Sequence, residues 1–365
     1  MEIPLFKVRM KDQVLRRSSN TLKSGWVGQG VEVEIFESRL SDYIGNPLIN
    51  TVNSATSGIH LALHSLKTEG RDEVLTTSVT CMATNLPIIH NGLKAKWVDM
   101  DPSTMNMDLE DLRSKISEKT LCIMIVHWGG HPVDLNKLSE IQDECESKYG
   151  FRPVVIEDCA HAFGSAFDGK RLGNHGNICV YSFQAIKHLT TVDGGAIVSP
   201  NKDHYERIKK LRWYGLDRNG DRLTQNVIDA GFKFHMNDLN ATIGIANIKD
   251  IDDDIKKHQR NGFHLSCYSI VNGLRRQTKL RNSVSSYWFY TIFVENRSSF
   301  VKHMNSKGVE VRQAHSRNDT SDCFGGKADL PSTKLIDEQM VQIPCGWWVS
   351  ESEINYIADC ISEGW

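Results

Sequence analysis

The sequence predicts an α/β protein, with a large domain built on a mostly parallel sheet covered by helices and a smaller C-terminal α+β domain. From about residue 50 to 200, short apolar strands alternate with helical stretches, which is typical of such a sheet. Beyond Gly231 the pattern changes to a long helical stretch, an aromatic strand and two further helices. We therefore expect a large domain over 1–245 and a smaller domain over 246–365.

The spacing of apolar residues predicts the individual elements. Helical spacing occurs over 57–66, 84–89, 109–116, 135–150, 236–260, 298–308 and 350–364. Short apolar or β-branched runs predict strands over 74–79, 95–101, 121–128, 153–158 and 287–296, and two more that flank a loop within 178–199.

Composition and charge limit the classes of function. The 43 basic and 45 acidic side chains give a net charge of -2, and no basic run resembles a nucleic-acid or membrane footprint. No apolar stretch is long enough to cross a bilayer, and the charged start lacks the core of a signal peptide. The nine scattered cysteines form no CxxC pair, which indicates free thiols and no structural zinc site. We expect a cytoplasmic protein that binds neither nucleic acid, membrane nor metal.

Two acidic residues end a predicted buried strand in PVVIEDCAHAFGS (153–165). Ligands of open α/β sheets bind at the carboxyl ends of the strands, where Glu157 and Asp158 fall. A pair of solvated carboxylates explains this segment on its own. The functional interpretation is that Asp158 pairs with a protonated ring nitrogen and so holds a pyridinium as an electron sink.

A lysine follows the next apolar run, in ICVYSFQAIKHLTTVDGGAIVS (178–199). A solvated loop lysine is one explanation of Lys187. A lysine that forms a Schiff base, however, has to be tethered near the sheet yet free to move, and burial beside a cationic cofactor favours its deprotonated amine. Ser182 and the glycine-flanked turn can supply hydroxyl and N–H donors to a phosphate.

Small polar residues lead into a predicted helix in NSATSGIHLALHSL (53–66). Backbone N–H groups at the helix start, with the hydroxyls of Thr56 and Ser57, form a ready phosphate site. Because serine and threonine caps are common, this segment is informative only together with the other two.

In their order and spacing, these segments resemble the DegT/StrS sugar aminotransferases. This family is a branch of the fold-type I pyridoxal-phosphate (PLP) enzymes, in the aspartate aminotransferase superfamily. The likeness covers nearly the whole chain, from LKSGWVGQGVEVEIFES (22–38) to IPCGWWVSESEINYI (343–357). Its most specific part is the ordered pair EDCAHAFG (157–164) and SFQAIKHLTTVDGG (182–195).

The resemblance implies a role for each matching residue. Lys187 would carry the cofactor and move a proton between the cofactor and substrate carbons. Asp158 would bind the pyridine nitrogen, and His161 takes the position near the cofactor's ring oxygen. Three hydroxyl side chains would hold the cofactor phosphate: Ser182, Thr56 and Ser57.

Three positions depart from the family's pattern. Cys81 stands where the family has an aromatic residue that stacks on the pyridine ring. Lys233 replaces an asparagine that reaches the cofactor phosphate of the neighbouring subunit, which a lysine could contact as a point charge. The loop after Lys187 reads V-D-G-G, where the family usually has G-E-G-G.

Further residues are candidates for substrate binding. The segment RQAHSRNDT (312–320) lies in the region that helps to bind the nucleotide-sugar in the family, so we assign His315, Arg317 and Asn318 to the substrate. A solvated loop is the alternative for this segment. Trp213 and Tyr214 form a second candidate contact, which an exposed turn explains almost as well.

The sequence thus predicts a PLP-dependent aminotransferase that moves an amino group from an amino acid, L-glutamate by analogy, to a nucleotide-linked keto-sugar. Its product would serve surface polysaccharide or glycosylated metabolites, and the family's shared active sites imply a homodimer. One alternative is a PLP-dependent sugar dehydratase of the same fold, in which histidine replaces Lys187. The other is a sugar-nucleotide-binding or regulatory protein without activity.

Overall fold

Twelve strands and twelve α-helices make up most of the regular structure in residues 2–221 and 223–365, which a computed structural model describes. The strands are β1 (Ile49–Val52), β2 (Glu73–Thr77), β3 (Lys94–Val98), β4 (Thr120–Val126), β5 (Val154–Asp158), β6 (Ala166–Phe167), β7 (Lys170–Arg171), β8 (Ile178–Ser182), β9 (Gly195–Val198), β10 (Ser283–Val284), β11 (Tyr290–Phe293) and β12 (Met340–Ile343). The helices are α1 (Asp12–Ser24), α2 (Val31–Ile44), α3 (Ala55–Leu66), α4 (Met82–His90), α5 (Leu109–Lys115), α6 (Leu135–Tyr149), α7 (Lys202–Leu211), α8 (Asp238–Ile248), α9 (Ile251–Val271), α10 (Arg297–Ser306), α11 (Pro331–Gln339) and α12 (Glu351–Ser362).

The central sheet has seven strands in the order β1-β9-β8-β5-β4-β2-β3. The five strands from β8 to β3 run parallel to one another, while β9 is antiparallel to both of its neighbours. This arrangement confirms the mostly parallel sheet that the sequence predicts. Because the carboxyl ends of parallel strands share one edge, the residues that follow β4, β5 and β8 meet there.

Helices cover both faces of the central sheet, and alternate strand residues pack on opposite sides. On β5, Val155 joins the apolar cluster with α2, α6 and α8, whereas Ile156 joins the cluster with α3 and α7. On β8, Cys179 likewise joins the first of these clusters and Val180 joins the second. With both faces buried, the strands read as nearly continuous hydrophobic runs in the sequence.

A second unit is built on the antiparallel pair β11–β12, with α9, α10 and α12 packed around an apolar cluster. The start of the chain also belongs to this cluster. The Ile3 N–H donates to the Gly308 carbonyl (2.8 Å), and the Glu310 N–H donates to the Ile3 carbonyl (2.9 Å). The division of the chain into domains over 1–245 and 246–365 stays a prediction. Ile3, although it falls in the predicted first domain, contacts residues of the predicted second domain.

The single helix predicted over 236–260 is wrong, because two helices occupy this stretch. Helix α8 ends at Ile248 and α9 begins at Ile251. Three aspartates, at 252–254, fall in the first turn of α9, where the positive end of the helix dipole favours acidic side chains. The apolar spacing of both helices does not show the break, whereas the run of aspartates marks the new start.

The cysteines and the helix lengths bear on two further expectations. All nine cysteines are free, and six of them are buried, as expected for thiols that no disulfide uses. In the part of the chain that the structure describes, the helices lack the combination of length and apolar character that crossing a membrane requires.

Two buried histidines make the stability of the fold depend on pH. Burial lowers the pKa of His258 to about 4 and that of His131 to about 3. An unfolded histidine titrates near pH 6.5, so below that pH the unfolded chain binds protons that the folded chain does not bind until about pH 4. Stability therefore rises with pH across this window. We expect the free energy of unfolding to fall by about 2 kcal/mol per histidine between pH 7 and pH 5.

Urea denaturation of the wild type and of His258→Gln, at both pH values, measures this effect. The pH-dependent loss should be smaller by about 2 kcal/mol in the variant, whatever the substitution itself costs at pH 7. His264→Gln, on the same helix but partly exposed, is the matched control and should keep the full loss. An equal loss in His258→Gln and the wild type would show that His258 does not contribute.

Candidate active site

Asp158 ends β5 at the carboxyl edge of the sheet, and its side chain is buried. The Thr84 hydroxyl donates to one carboxylate oxygen (2.7 Å), and the Ala160 N–H donates to the other (2.9 Å). Both donors are neutral, and burial raises the pKa of Asp158 above its usual range. A buried carboxylate of this kind is stabilised by a cationic group, so the position suits a positively charged ligand.

Lys187 lies in the loop between β8 and β9, and hydrogen bonds hold the backbone of this loop. The Lys187 N–H donates to the Gln184 carbonyl (2.9 Å), and the Thr191 N–H donates to that of Phe183 (2.9 Å). From α8, the amide of Asn240 donates to the backbone carbonyls at positions 191 and 193 (both 2.7 Å). Hydrogen bonds therefore hold the backbone of the turn that carries Lys187.

The amine of Lys187 is shielded from water and lies 3.5 Å from the centroid of the Trp288 ring. Burial lowers the pKa of Lys187 to about 8, and the charges of Asp158 and Cys81 oppose this effect. Near neutral pH a useful fraction of the amine is therefore unprotonated. Nucleophilic attack on a carbonyl carbon requires that form.

Two histidine rings border the lysine. His161 and His315 lie parallel with their centroids 5.4 Å apart, and His161 stacks on Trp288 at 4.0 Å. Burial lowers the pKa of both histidines, that of His315 to about 3, and the charge of Lys187 acts in the same direction. Within the described residues, Nδ1 of His161 and Nε2 of His315 are buried without a hydrogen-bond partner. Two neutral imidazoles thus offer unused nitrogens to a ligand.

The N-terminus of α3 meets the two strands that flank the Lys187 loop. Ser54 caps this helix by accepting a hydrogen bond from the Ser57 N–H (3.1 Å). A Cβ on Gly195 would lie 2.7 Å from the Ala55 nitrogen, so only glycine permits this approach of β9 to the helix. Ser182 pairs with Gly195 at the end of β8. N–H groups at the positive end of a helix, together with hydroxyls, suit a phosphate group.

Comparison with known proteins decides the family. The model of the DegT/DnrJ/EryC1/StrS aminotransferase family matches residues 8–362. The chain belongs to this family. Its structure is similar to that of AtS13 from Actinomadura melliaura, with a TM-score of 0.97 and 42% identity over 100% of this chain and 99% of the other.

Two further relatives of this aminotransferase agree with the family match. The sugar aminotransferase CalS13 from Micromonospora echinospora has a TM-score of 0.96 and 38% identity, with 100% of both chains covered. The GDP-perosamine synthase of Escherichia coli O157:H7 is 28% identical over 99% of this chain and 98% of its own. The predictions of the family, the fold class and the enzyme class are confirmed.

This aminotransferase depends on PLP, as the sequence predicts, and its residues fit that cofactor. The Asp158 carboxylate, whose donors are neutral, would provide a counter-charge for the pyridine nitrogen. The buried Nδ1 of His161 has no protein partner among the described residues and suits the ring oxygen. When bound, PLP withdraws electrons from the reacting carbon of the substrate.

Two of the three departures from the family's pattern, Cys81 and Lys233, lie in different surroundings. Cys81 precedes the first residue of α4, is partly exposed and lies close enough to Lys187 for its charge to act on the amine. Lys233 is exposed and pairs with Trp213, and the carbonyl of the next residue accepts from the Asn53 N–H (2.7 Å). The segment of Lys233 thus borders the residues that lead into α3. The cofactor contacts of both residues stay predictions.

Arg317 and Asn318 have protein partners of their own. The Arg317 guanidinium pairs with the buried Asp319 carboxylate (2.6 Å). Asn318 donates to the Thr80 carbonyl (2.9 Å) and accepts from the Asn85 amide (2.9 Å). These bonds hold the segment against the loop between β2 and α4. Both side chains therefore have a structural function, and their contact with substrate stays a prediction.

The aromatic pair predicted to bind substrate lies beside the segment of Lys233. The Trp213 ring contacts that of His235 at 4.1 Å and lines a cleft of about 360 Å³ between α2 and α7. Tyr214 follows it, 43% exposed and with a positive φ of 59°. The residues that line this cleft do not include Lys187. His315, by contrast, stands beside the lysine, and substrate contact by each of these residues stays a prediction.

Sequence interpretation alone misses three residues of the site, namely Thr84, Gly195 and Trp288. Signals exist for two of them. Thr84 ends the motif T-C-M-A-T, and Gly195 is the second glycine of a pair that precedes a strand. Trp288 gives no signal, because a tryptophan within the run YWFYTIFVEN is typical of an ordinary core strand.

One cluster of side chains bears on the prediction that no metal binds. His127, Glu157 and Cys159 lie together and are buried. The Val133 N–H donates to Nδ1 of His127 (3.0 Å), and Nε2 of that ring donates to Glu157 (2.9 Å). Asn177 donates to the second oxygen of Glu157 (2.7 Å). Hydrogen bonds already use the candidate ligand atoms of His127 and Glu157, and the lack of a metal stays a prediction.

Gly195→Ala should weaken cofactor binding. The added methyl group would lie 2.7 Å from both the Ala55 nitrogen and the Tyr181 carbonyl oxygen, so α3 has to move away from the sheet. Because backbone atoms are displaced, we expect the dissociation constant of PLP to rise about tenfold or more. Titration of cofactor-free protein with PLP, followed by tryptophan fluorescence, measures it.

Gly28→Ala is the matched control for this substitution, because a Cβ at Gly28 meets no atom within 4 Å. Its affinity for PLP should equal that of the wild type. Unchanged affinity in Gly195→Ala would show that the approach of β9 to α3 does not shape the phosphate site.

Proposed function

We propose that the protein transfers an amino group from L-glutamate to the keto carbon of a sugar linked to a nucleoside diphosphate. Lys187, Asp158 and His161 support this proposal through their proximity at the carboxyl edge of the sheet. Among its relatives, CalS13 is described as a sugar aminotransferase, and another is named for GDP-perosamine, a nucleotide-linked sugar. The amino-sugar product would serve surface polysaccharide or glycosylated metabolites.

Each residue of the site has one task in this proposal. The amine of Lys187, released when an amino acid binds, accepts the proton from the donor's α-carbon, and the resulting ammonium delivers it to the adjoining cofactor carbon. The second half-reaction runs this transfer in reverse on the sugar. Asp158 keeps the ring nitrogen charged, and His161 fixes the tilt of the ring through its oxygen. Hydroxyls hold the phosphate: Ser182, Thr56 and Ser57.

The proposal also includes the sugar site and a second subunit. His315 offers Nε2 to the sugar, and Lys233 extends to the cofactor phosphate of the neighbouring subunit. We propose a cytoplasmic homodimer. Exposed apolar side chains on α1 and α2, including Leu15 at 76%, Leu22 at 56% and Val31 at 61%, support a covered surface there. Free cysteines are typical of a reducing compartment.

An absorption spectrum of the protein with PLP, before and after addition of L-glutamate, tests the first half-reaction. We expect a yellow band that L-glutamate bleaches. If a different amino acid bleaches the band and L-glutamate does not, that amino acid is the donor. A band that no amino donor changes would favour a PLP enzyme that does not transaminate, and the lack of any band would favour a binding protein. A panel of keto-sugar nucleotides, read by mass spectrometry, then identifies the acceptor.

A further inference from the structure

Trp288 makes contacts that the proposed function does not use. It is 2% exposed, and its ring N–H donates to the carbonyl of Ile186 (3.0 Å), the residue before Lys187. Its backbone N–H donates to the Gly129 carbonyl (3.0 Å), in the turn after β4. Phe6 stacks on the ring at 4.6 Å. The indole is therefore fixed in place, and one of its anchors is the turn that carries the lysine.

We propose that Trp288 is a positioning residue for the free form of Lys187, holding the amine against its ring while the cofactor carries the amino group. The proposal rests on the transamination described above. Nζ of Lys187 lies 3.5 Å from the ring centroid, well within the range of a cation–π contact. Asp158 and Cys81 act on this amine as charges and not as hydrogen-bond partners.

The chemistry of the lysine explains why a ring is suitable here. Between accepting a proton and delivering it, Lys187 is an ammonium in a desolvated place, where a charge without compensation is unstable. A carboxylate in direct contact would hold the proton too strongly for transfer. The weaker attraction of an aromatic face stabilises the ammonium and still allows it to lose the proton, and tryptophan has the strongest such face.

Other titratable groups around the amine do not replace this function of the ring. Asp158, at the end of β5, and Cys81, before α4, raise the pKa of Lys187 but do not offset its burial. Three histidines lie close enough to interact with the charge of Lys187, and burial lowers the pKa of each, so they are neutral: His161, His188 and His315.

The titration of Lys187 tests the proposal without any turnover. Full-length protein loaded with pyridoxamine 5′-phosphate has a free Lys187, and cyanate, which carbamylates only unprotonated amines, reports its titration when peptides are quantified by mass spectrometry between pH 6 and pH 10. In Trp288→Leu the midpoint should fall by about one pH unit, because the ammonium loses the ring. In Trp288→Phe, which keeps an aromatic face, the midpoint should fall by less than half of that.

Two outcomes would overturn the proposal. The first is an unchanged midpoint in Trp288→Leu. The second is an equal shift in Trp288→Phe, which would assign the effect to the lost hydrogen bond with Ile186. If Trp288→Leu does not fold, growth on a fluorinated tryptophan weakens the ring's attraction at nearly constant shape. The midpoint should then fall in the wild type and stay constant in Trp288→Phe. Because cyanate needs no donor or sugar, a negative result would count against Trp288 and leave the proposed reaction untouched.

Discussion

Lys187→Ala should lower kcat by about 10⁴-fold, because one substitution removes both the covalent attachment and the proton carrier. Burial lowers the pKa of the free amine to about 8, so part of it is unprotonated near neutral pH. The variant should still bind PLP through its ring nitrogen and phosphate contacts, yet lack the yellow band of the lysine-bound cofactor. Stopped-flow absorbance and steady-state turnover with the same substrates measure both effects.

Small amines added in solution test whether Lys187 acts as the proton carrier. Methylamine or ethylamine in solution should restore part of the rate in Lys187→Ala, in proportion to its concentration, because it can carry the proton through the space that the side chain leaves. Lys202→Ala, at the exposed start of α7, is the control and should match the wild type with or without amine. Turnover of Lys187→Ala within tenfold of the wild type would exclude the assignment.

Asp158→Asn should lower kcat by about 10²- to 10³-fold, a loss typical of removing one preorganised charged or polar group. The amide keeps the shape of the carboxylate and can still accept from the Ala160 N–H. It cannot keep a proton on the cofactor's ring nitrogen, because its charge is lost. Affinity for PLP should fall as well, which equilibrium dialysis measures beside the rate.

Two comparisons separate the charge of Asp158 from its hydrogen bonds. Thr84→Val removes the donor at 2.7 Å and leaves the charge, so its loss of rate should be much smaller. PLP methylated at the ring nitrogen carries a permanent charge, and it should restore part of the rate in Asp158→Asn without improving the wild type. Equal losses in Thr84→Val and Asp158→Asn would show that the hydrogen bond, and not the charge, is what matters.

The sequence predicts the parts of this molecule that local chemistry determines. The strands that deliver Asp158 and Lys187 are short apolar runs with polar ends, and the parallel arrangement from β2 to β5 follows from the helices between those strands. The predicted phosphate site rests on local chemistry as well, since Thr56 and Ser57 stand at a helix start. The resemblance to a family adds the roles, which spacing alone leaves open.

Long-range contacts are what the sequence does not show. Asn318 accepts a hydrogen bond from Asn85, which lies 233 positions away in the sequence. No local sequence pattern therefore distinguishes a substrate-binding residue from a structural one. The contact between Trp288 and Lys187 likewise joins the second unit to the central sheet. The break between α8 and α9 is missed for another reason, because apolar spacing is similar on both sides of it.

The contacts of Ile3 and Leu5 have a consequence for how this chain is made. The Leu5 N–H donates to the Glu310 carboxylate, 305 positions further on (3.0 Å). At the usual rate of translation, roughly 15 to 60 s pass between the synthesis of these two apolar residues and the synthesis of Glu310. The central sheet can form during this interval, whereas the second unit cannot. Its completion is a late event, because Leu5 has to meet a partner that is synthesised 305 positions later.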